Sequence, residues 1–206
     1  LKQKNILSML FIVGILLSTN CQTISRLMAT ETPTVTATVT TTPTQTPRPT
    51  PTRRPSLTPT PDAGRFTSSD GSYSFLLPDD WDLDDETDDY ALFKGPTRNG
   101  IEATLVVGKI TDSTMFEMWT AQVQDETTAL LQGYKQISED FLETDAGEAY
   151  FRWEFTARQQ GVKLHFVFYM YDPGTWKLVL TYMRLDSGSN KDDAPIDDTA
   201  RSVLYR

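Results

Sequence analysis

From residue 149 onward, apolar and polar positions alternate with a period of two, the signature of strands. Ala149, Phe151, Trp153, Phe155 and Ala157 share one parity, and Tyr150, Arg152, Glu154 and Thr156 share the other. Gln160-Gly161 turns this run into VKLHFVFYMY, and Asp-Pro-Gly at 172–174 turns that into TWKLVLTYMR, which predicts a three-stranded antiparallel meander. Two earlier strands are expected in TDDYALFKGP and GIEATLVVGKI, joined by a turn around Gly95 to Gly100. RFTSSDGSYSFLLPDDW supplies two short extended pieces around Ser69-Asp70-Gly71, with Pro78 as the stop.

Between Thr114 and Ile137 the period changes. Phe116, Trp119, Val123, Leu130, Tyr134 and Ile137 fall at helical steps, Thr114 and Glu117 have capping-box spacing, and Gly133 marks where the helix weakens. A second helix is expected over roughly 193–205.

The first sixty residues follow neither period. Lys2 and Lys4 precede ILSMLFIVGILL, whose twelve residues span roughly 18 Å as a helix, short of a ~30 Å hydrocarbon core. This layout reads as a signal peptide over 1–20. Cys21, the single cysteine, then occupies the position at which bacterial lipoproteins are acylated. Ser18 and Asn20 depart from the usual lipobox residues, so an uncleaved signal anchor and a plain secreted protein are the other readings. Residues 30–61 hold 14 Thr and 8 Pro and almost nothing that could enter a core, so residues 21–63 are expected to form a disordered tether. Some thirty residues at ~3.1 Å each would hold a domain up to about 100 Å from its anchor. The globular part is then 64–206.

Charge divides along the same boundary. Residues 1–61 carry six Lys or Arg against Glu31 alone, whereas 62–206 carry 13 basic and 27 acidic residues, a net of −14. Such a domain repels phosphate backbones and anionic headgroups, which argues against nucleic-acid binding and against docking on an acidic membrane. With no cysteine in the domain, neither a disulfide nor a thiolate metal site is available to it.

The element DGSYSFLLPDDW, with its Pro78-x-x-Trp81 ending, followed by strands, one long helix, a meander and a short terminal helix, resembles the PsbP-like superfamily. The resemblance covers about 65–206. It implies an α+β fold, an α/β/α sandwich with a central antiparallel sheet, of the kind found in extrinsic photosystem II subunits and in bacterial envelope lipoproteins. No photosystem-docking motif and no metal site carries over from it.

Candidate chemistry is sparse. His165 alternates with Lys163, Val167 and Tyr169, which reads as a histidine on the less apolar sheet face, without partners for catalysis or zinc. No nucleophile elbow or phosphate loop is present. Eight carboxylates crowd the stretch from Asp79 to Asp89, read as a solvated loop between strands. Asp82, Asp84, Glu86 and Asp88 are its weak cation candidates. No register puts glycine and glutamate where an EF-hand needs them, so calcium affinity on the order of 10⁻³ M is expected. The four tryptophans read chiefly as core, while Tyr150, Tyr169 and Tyr171 share a face that could line a pocket.

These features point to a non-enzymatic binding or accessory domain, monomeric, without a cofactor. It would sit outside the cytoplasm at the cell envelope, held to the membrane by a lipid on Cys21 and available to an envelope protein partner. A small envelope hydrolase using His165 and a cation-binding accessory protein using the 79–89 stretch are the alternatives.

Overall fold

The computed structural model describes residues 64–188 and 193–206. The leader, Cys21 and the Thr/Pro tether lie outside the described residues. Chain order is β1 (Arg65–Thr67), β2 (Tyr73–Leu76), β3 (Asp82–Glu86), β4 (Tyr90–Arg98), β5 (Ile101–Ile110), α1 (Phe116–Leu130), β6 (Gln132–Glu143), β7 (Ala149–Gln159), β8 (Val162–Tyr171), β9 (Lys177–Leu185), α2 (Ala194–Arg201) and β10 (Leu204–Tyr205). Seven strands form one antiparallel sheet in the order β3-β4-β5-β9-β8-β7-β6, and a small second sheet runs β1-β2-β10.

The meander forms as the alternation predicts, with register set by its first turn. Gln160 and Gly161 both take positive φ, 50° and 83°, the twist a two-residue turn needs to match paired strands. Asn99 and Gly100 repeat the device at 50° and 76° between β4 and β5. The β4–β5 turn is therefore confined to two residues. Gly95 and Pro96, expected within it, lie inside β4 at a register shift between Lys94 and Thr97. Pro96 cannot donate to a ladder, and a bulge tolerates that. Gly95 is required by space: a Cβ there would lie 2.5 Å from the Trp81 ring.

The largest departure from expectation is β6. The helix stops at Leu130, and residues 132–143 form a twelve-residue strand at the sheet edge. Tyr134 and Ile137 prolonged the helical stripe because β6 contains two bulges, between Gln132 and Lys135 and between Gln136 and Ser138. Each inserts a residue and destroys the two-residue period. The expected capping box does not form either. Met115 precedes the helix without a side-chain cap, and the Thr114 N–H donates to Asp112 Oδ1 at 2.7 Å. The closing helix is shorter than expected, ending at Arg201, after which β10 pairs with β2.

Two cores of described residues flank the large sheet. On one face α1 lays Trp119 and Val123 over Phe151, Trp153, Phe155, Phe166 and Phe168. Phe155 and Phe166 stack with centroids 5.1 Å apart. On the other, α2 and the small sheet cover Phe93, Leu105, Tyr150, Tyr169 and Tyr171 through Phe75, Ile196 and Ala200. Each such fully buried side chain contributes about 1.5–3 kcal/mol. The sheet is thus buried on both faces, in the α+β sandwich expected from the sequence. Tyr150, Tyr169 and Tyr171, read as a face that could line a pocket, are buried in this packing. The Tyr171 hydroxyl donates to the Ala200 carbonyl at 2.8 Å. Among the described residues no helix is long and apolar enough to cross a membrane.

Candidate functional site

The acidic stretch is a strand rather than a loop. Asp82–Glu86 form β3, the sheet edge beside β4, with a register shift between Leu83 and Asp85. Extended backbone separates alternate side chains by roughly 7 Å, so the carboxylates are spread out, and several are engaged elsewhere. Asp84 pairs with Lys94 at 2.8 Å, Glu86 accepts from the Ser69 N–H at 2.9 Å, and Asp85 accepts from the Tyr90 hydroxyl. Asp82 stands exposed on the strand and Asp88 in the following turn.

The densest chemistry lies under α2, on the sheet face opposite α1. Thr156 of β7, His165 of β8 and Arg184 of β9 are direct cross-strand neighbours. His165, read from the sequence as a strand histidine on the less apolar sheet face, is only 1% exposed. Its Nε2 lies 3.4 Å from Glu154 Oε1 and 3.3 Å from Asp193 Oδ2. Arg184 grips Asp193 with two bonds, Nε to Oδ1 at 2.6 Å and Nη2 to Oδ2 at 2.9 Å. Arg152 bridges Glu154 Oε2 at 2.6 Å and Asp197 Oδ1 at 2.9 Å, and Tyr169 donates to Asp197 at 2.7 Å. Burial pushes the Asp193 carboxyl up, but hydrogen bonds and charge from His165 and Arg184 outweigh it and hold the group below the ordinary carboxylate range.

Glu154, His165 and Asp193 bring three possible ligand atoms within 4.8 Å of one another. Their neighbours decide what this cluster can hold. Both oxygens of Asp193 already face Arg184, and Glu154 faces Arg152. Glu154 Oε1 and His165 Nε2 are themselves buried without a hydrogen-bond partner. The arginine bonds clamp α2 to the middle of the sheet. The cluster's strand members were legible in principle, because the two-residue turn at 160–161 fixes the pairing of Thr156 with His165. Asp193 carried no sequence signal, since it comes from a loop after β9.

A cavity of about 400 Å³ opens at the C-terminal end of α1, where the helix stops short of the sheet's far corner. Phe155, Phe166 and Phe168 form its apolar floor, Leu130 and Leu131 its helix side, and Arg158 stands at the rim. Two polar atoms in its lining, Thr127 Oγ1 and Gln159 Nε2, are buried with no hydrogen-bond partner. Nothing in the sequence announced this cavity, because it depends on where α1 ends.

No protein-family model and no curated protein matches the sequence. Solved structures do match in shape. LpqN of Mycobacterium tuberculosis, described as involved in cell envelope biogenesis, is 14% identical with a TM-score of 0.52 over 68% of this chain and 88% of its own. The cyanobacterial PsbP of Synechocystis is 12% identical with a TM-score of 0.51 over 69% and 91%. The Ran-binding protein Mog1p of Saccharomyces cerevisiae is 10% identical with a TM-score of 0.51 over 68% and 94%. At these identities the likeness is one of architecture, and the architecture of residues 64–206 is the PsbP-like α+β fold.

Proposed function

We propose that this chain is a non-enzymatic binding or accessory protein of the cell envelope, whose PsbP-like domain takes its ligand in the cavity at the end of α1. The cavity carries the reading. Its volume falls within the ~300–1,000 Å³ of small-molecule sites, and an apolar floor with a few polar groups is their usual lining. Unpartnered buried donors are costly, by about 1–3 kcal/mol each, unless something fills the space and accepts from them. The hydrolase alternative is weakened because His165 is 1% exposed and lies under α2, out of reach of a substrate. An envelope setting fits both the leader and the recurrence of the fold in LpqN.

The test is uptake of the neutral fluorescent probe N-phenyl-1-naphthylamine by the protein. Saturable binding is expected, weakened at least tenfold by Leu130→Trp, which fills the cavity mouth from a side chain that is 54% exposed and so perturbs folding little. Absence of saturable uptake would refute the cavity as a ligand site. Anchoring through a lipid on Cys21 is checked separately in cells. Cys21→Ser is expected to shift the protein from the membrane fraction to the soluble one, and retention with an intact leader would identify a signal anchor instead.

A further inference from the structure

We infer that the ligand of this cavity is an amphiphilic anion, an apolar body carrying a carboxylate or similar acidic head. The inference rests on the binding reading above and adds the charge of the ligand. The one charged group lining the cavity is a cation, and the buried polar atoms near it can donate. Thr127 offers a hydroxyl, Gln159 an amide N–H and Arg158 a guanidinium, whereas Phe155, Phe166 and Phe168 offer only apolar surface.

Arg158, like Arg65 and Lys135, forms no ion pair among the described residues. Lys109, Arg152, Lys163, Lys177 and Arg184 all sit in ion pairs with carboxylates. The hydrogen bond recorded for Arg158 is a long one, 3.5 Å to the Gly161 carbonyl, and no described carboxylate pairs with it. Its stem runs beside Gly133, where a Cβ would meet Cγ and Cδ at 3.4 Å, an ordinary packing distance. Gly133 itself takes φ of 59°, a conformation that disfavours any side chain. The exposed arginine stem thus lies along bare backbone at the β6 bulge, beside the apolar cavity that it helps to line. A planar fork of donors over an apolar slot suits a carboxylate or sulfonate, which can accept two parallel hydrogen bonds.

Two probes with the same aromatic skeleton separate the charge from the shape: 1-anilinonaphthalene-8-sulfonate, which carries an anionic head, and N-phenyl-1-naphthylamine, which lacks it. Titrated into the protein, the anionic probe is expected to bind about tenfold more tightly. Arg158→Gln should weaken the anionic probe about tenfold more than the neutral one at an unchanged unfolding midpoint, and Arg158→Lys should restore part of the difference. Equal affinities in the parent domain, or an anionic preference untouched by Arg158→Gln, would overturn the inference while leaving an apolar cavity standing. Failure of both probes to saturate, or binding of both unchanged in Leu130→Trp, would overturn the cavity reading and the inference with it.

Discussion

Arg184→Met should lower the stability of the domain by about 3–5 kcal/mol, because it strips both guanidinium bonds from Asp193 and leaves a carboxylate buried at 1% exposure against His165 and Glu154. For a domain of this size that corresponds to a fall in Tm on the order of 10 °C. Thermal and urea unfolding of the protein measure it. The double replacement Arg184→Met with Asp193→Leu should recover much of the loss, since the isolated charge, rather than the missing attraction, dominates the cost. A loss under 1 kcal/mol for the single variant would mean that water reaches Asp193 and that the clamp is not sealed. The acid limb of stability follows from the same residue. The folded-state pKa of Asp193 is depressed, so its contribution is full above the ordinary carboxylate value near pH ~4 and is lost as pH falls through the lower folded value. Asp186, held down chiefly by its bond from Lys163, and Asp70, where bonds from Lys109, Ser72 and Ser68 outweigh burial, act in the same direction.

Gly95→Ala carries the second large effect. One added methyl would sit 2.5 Å from Cε2 and Cζ2 of Trp81 and 2.8 Å from Cδ2. The indole packs against Tyr182 with centroids 5.9 Å apart and is 7% exposed, so moving it uncovers buried apolar surface. Displacing it forfeits most of its burial, at a cost of about 3 kcal/mol. Trp81→Ala alone should cost a similar amount. In the Trp81→Ala background, Gly95→Ala should become nearly neutral, because the ring it collides with is gone. Additive losses in this cycle would show that Gly95 is needed for backbone conformation instead of for room.

The residues that the sequence disclosed best are those whose local chemistry acts alone. The meander was readable because Phe151, Trp153 and Phe155 alternate without interruption and Gln160-Gly161 can form only a tight turn. β6 escaped because its bulges displace Tyr134 and Ile137 from the two-residue period, leaving steps of three and four that continue the stripe of α1. The acidic stretch was read as a loop because charge density usually means solvent, yet an edge strand is solvated along one side and tolerates the same residues. The charge clamp was half visible: Arg152, Glu154 and His165 stood at known parity, but Asp193 and Asp197 arrive with α2, whose docking no spacing encodes. The cavity was invisible for a related reason. It exists because a fifteen-residue helix covers a longer sheet, a mismatch between two elements that neither one records.

The seven-stranded sheet ends in two open edges, and the two are kept from recruiting further strands by different means. Along β6 the bulges bend the backbone out of the flat register that another copy would have to match. Along β3 the protection is electrostatic, for Asp82, Asp84, Asp85 and Glu86 would meet their own counterparts if two molecules approached edge to edge. The carboxylates read from the sequence as a weak cation site thus line an edge with like charge. That charge opposes edge-to-edge approach by a second copy of a sheet rich in Phe, Tyr and Val.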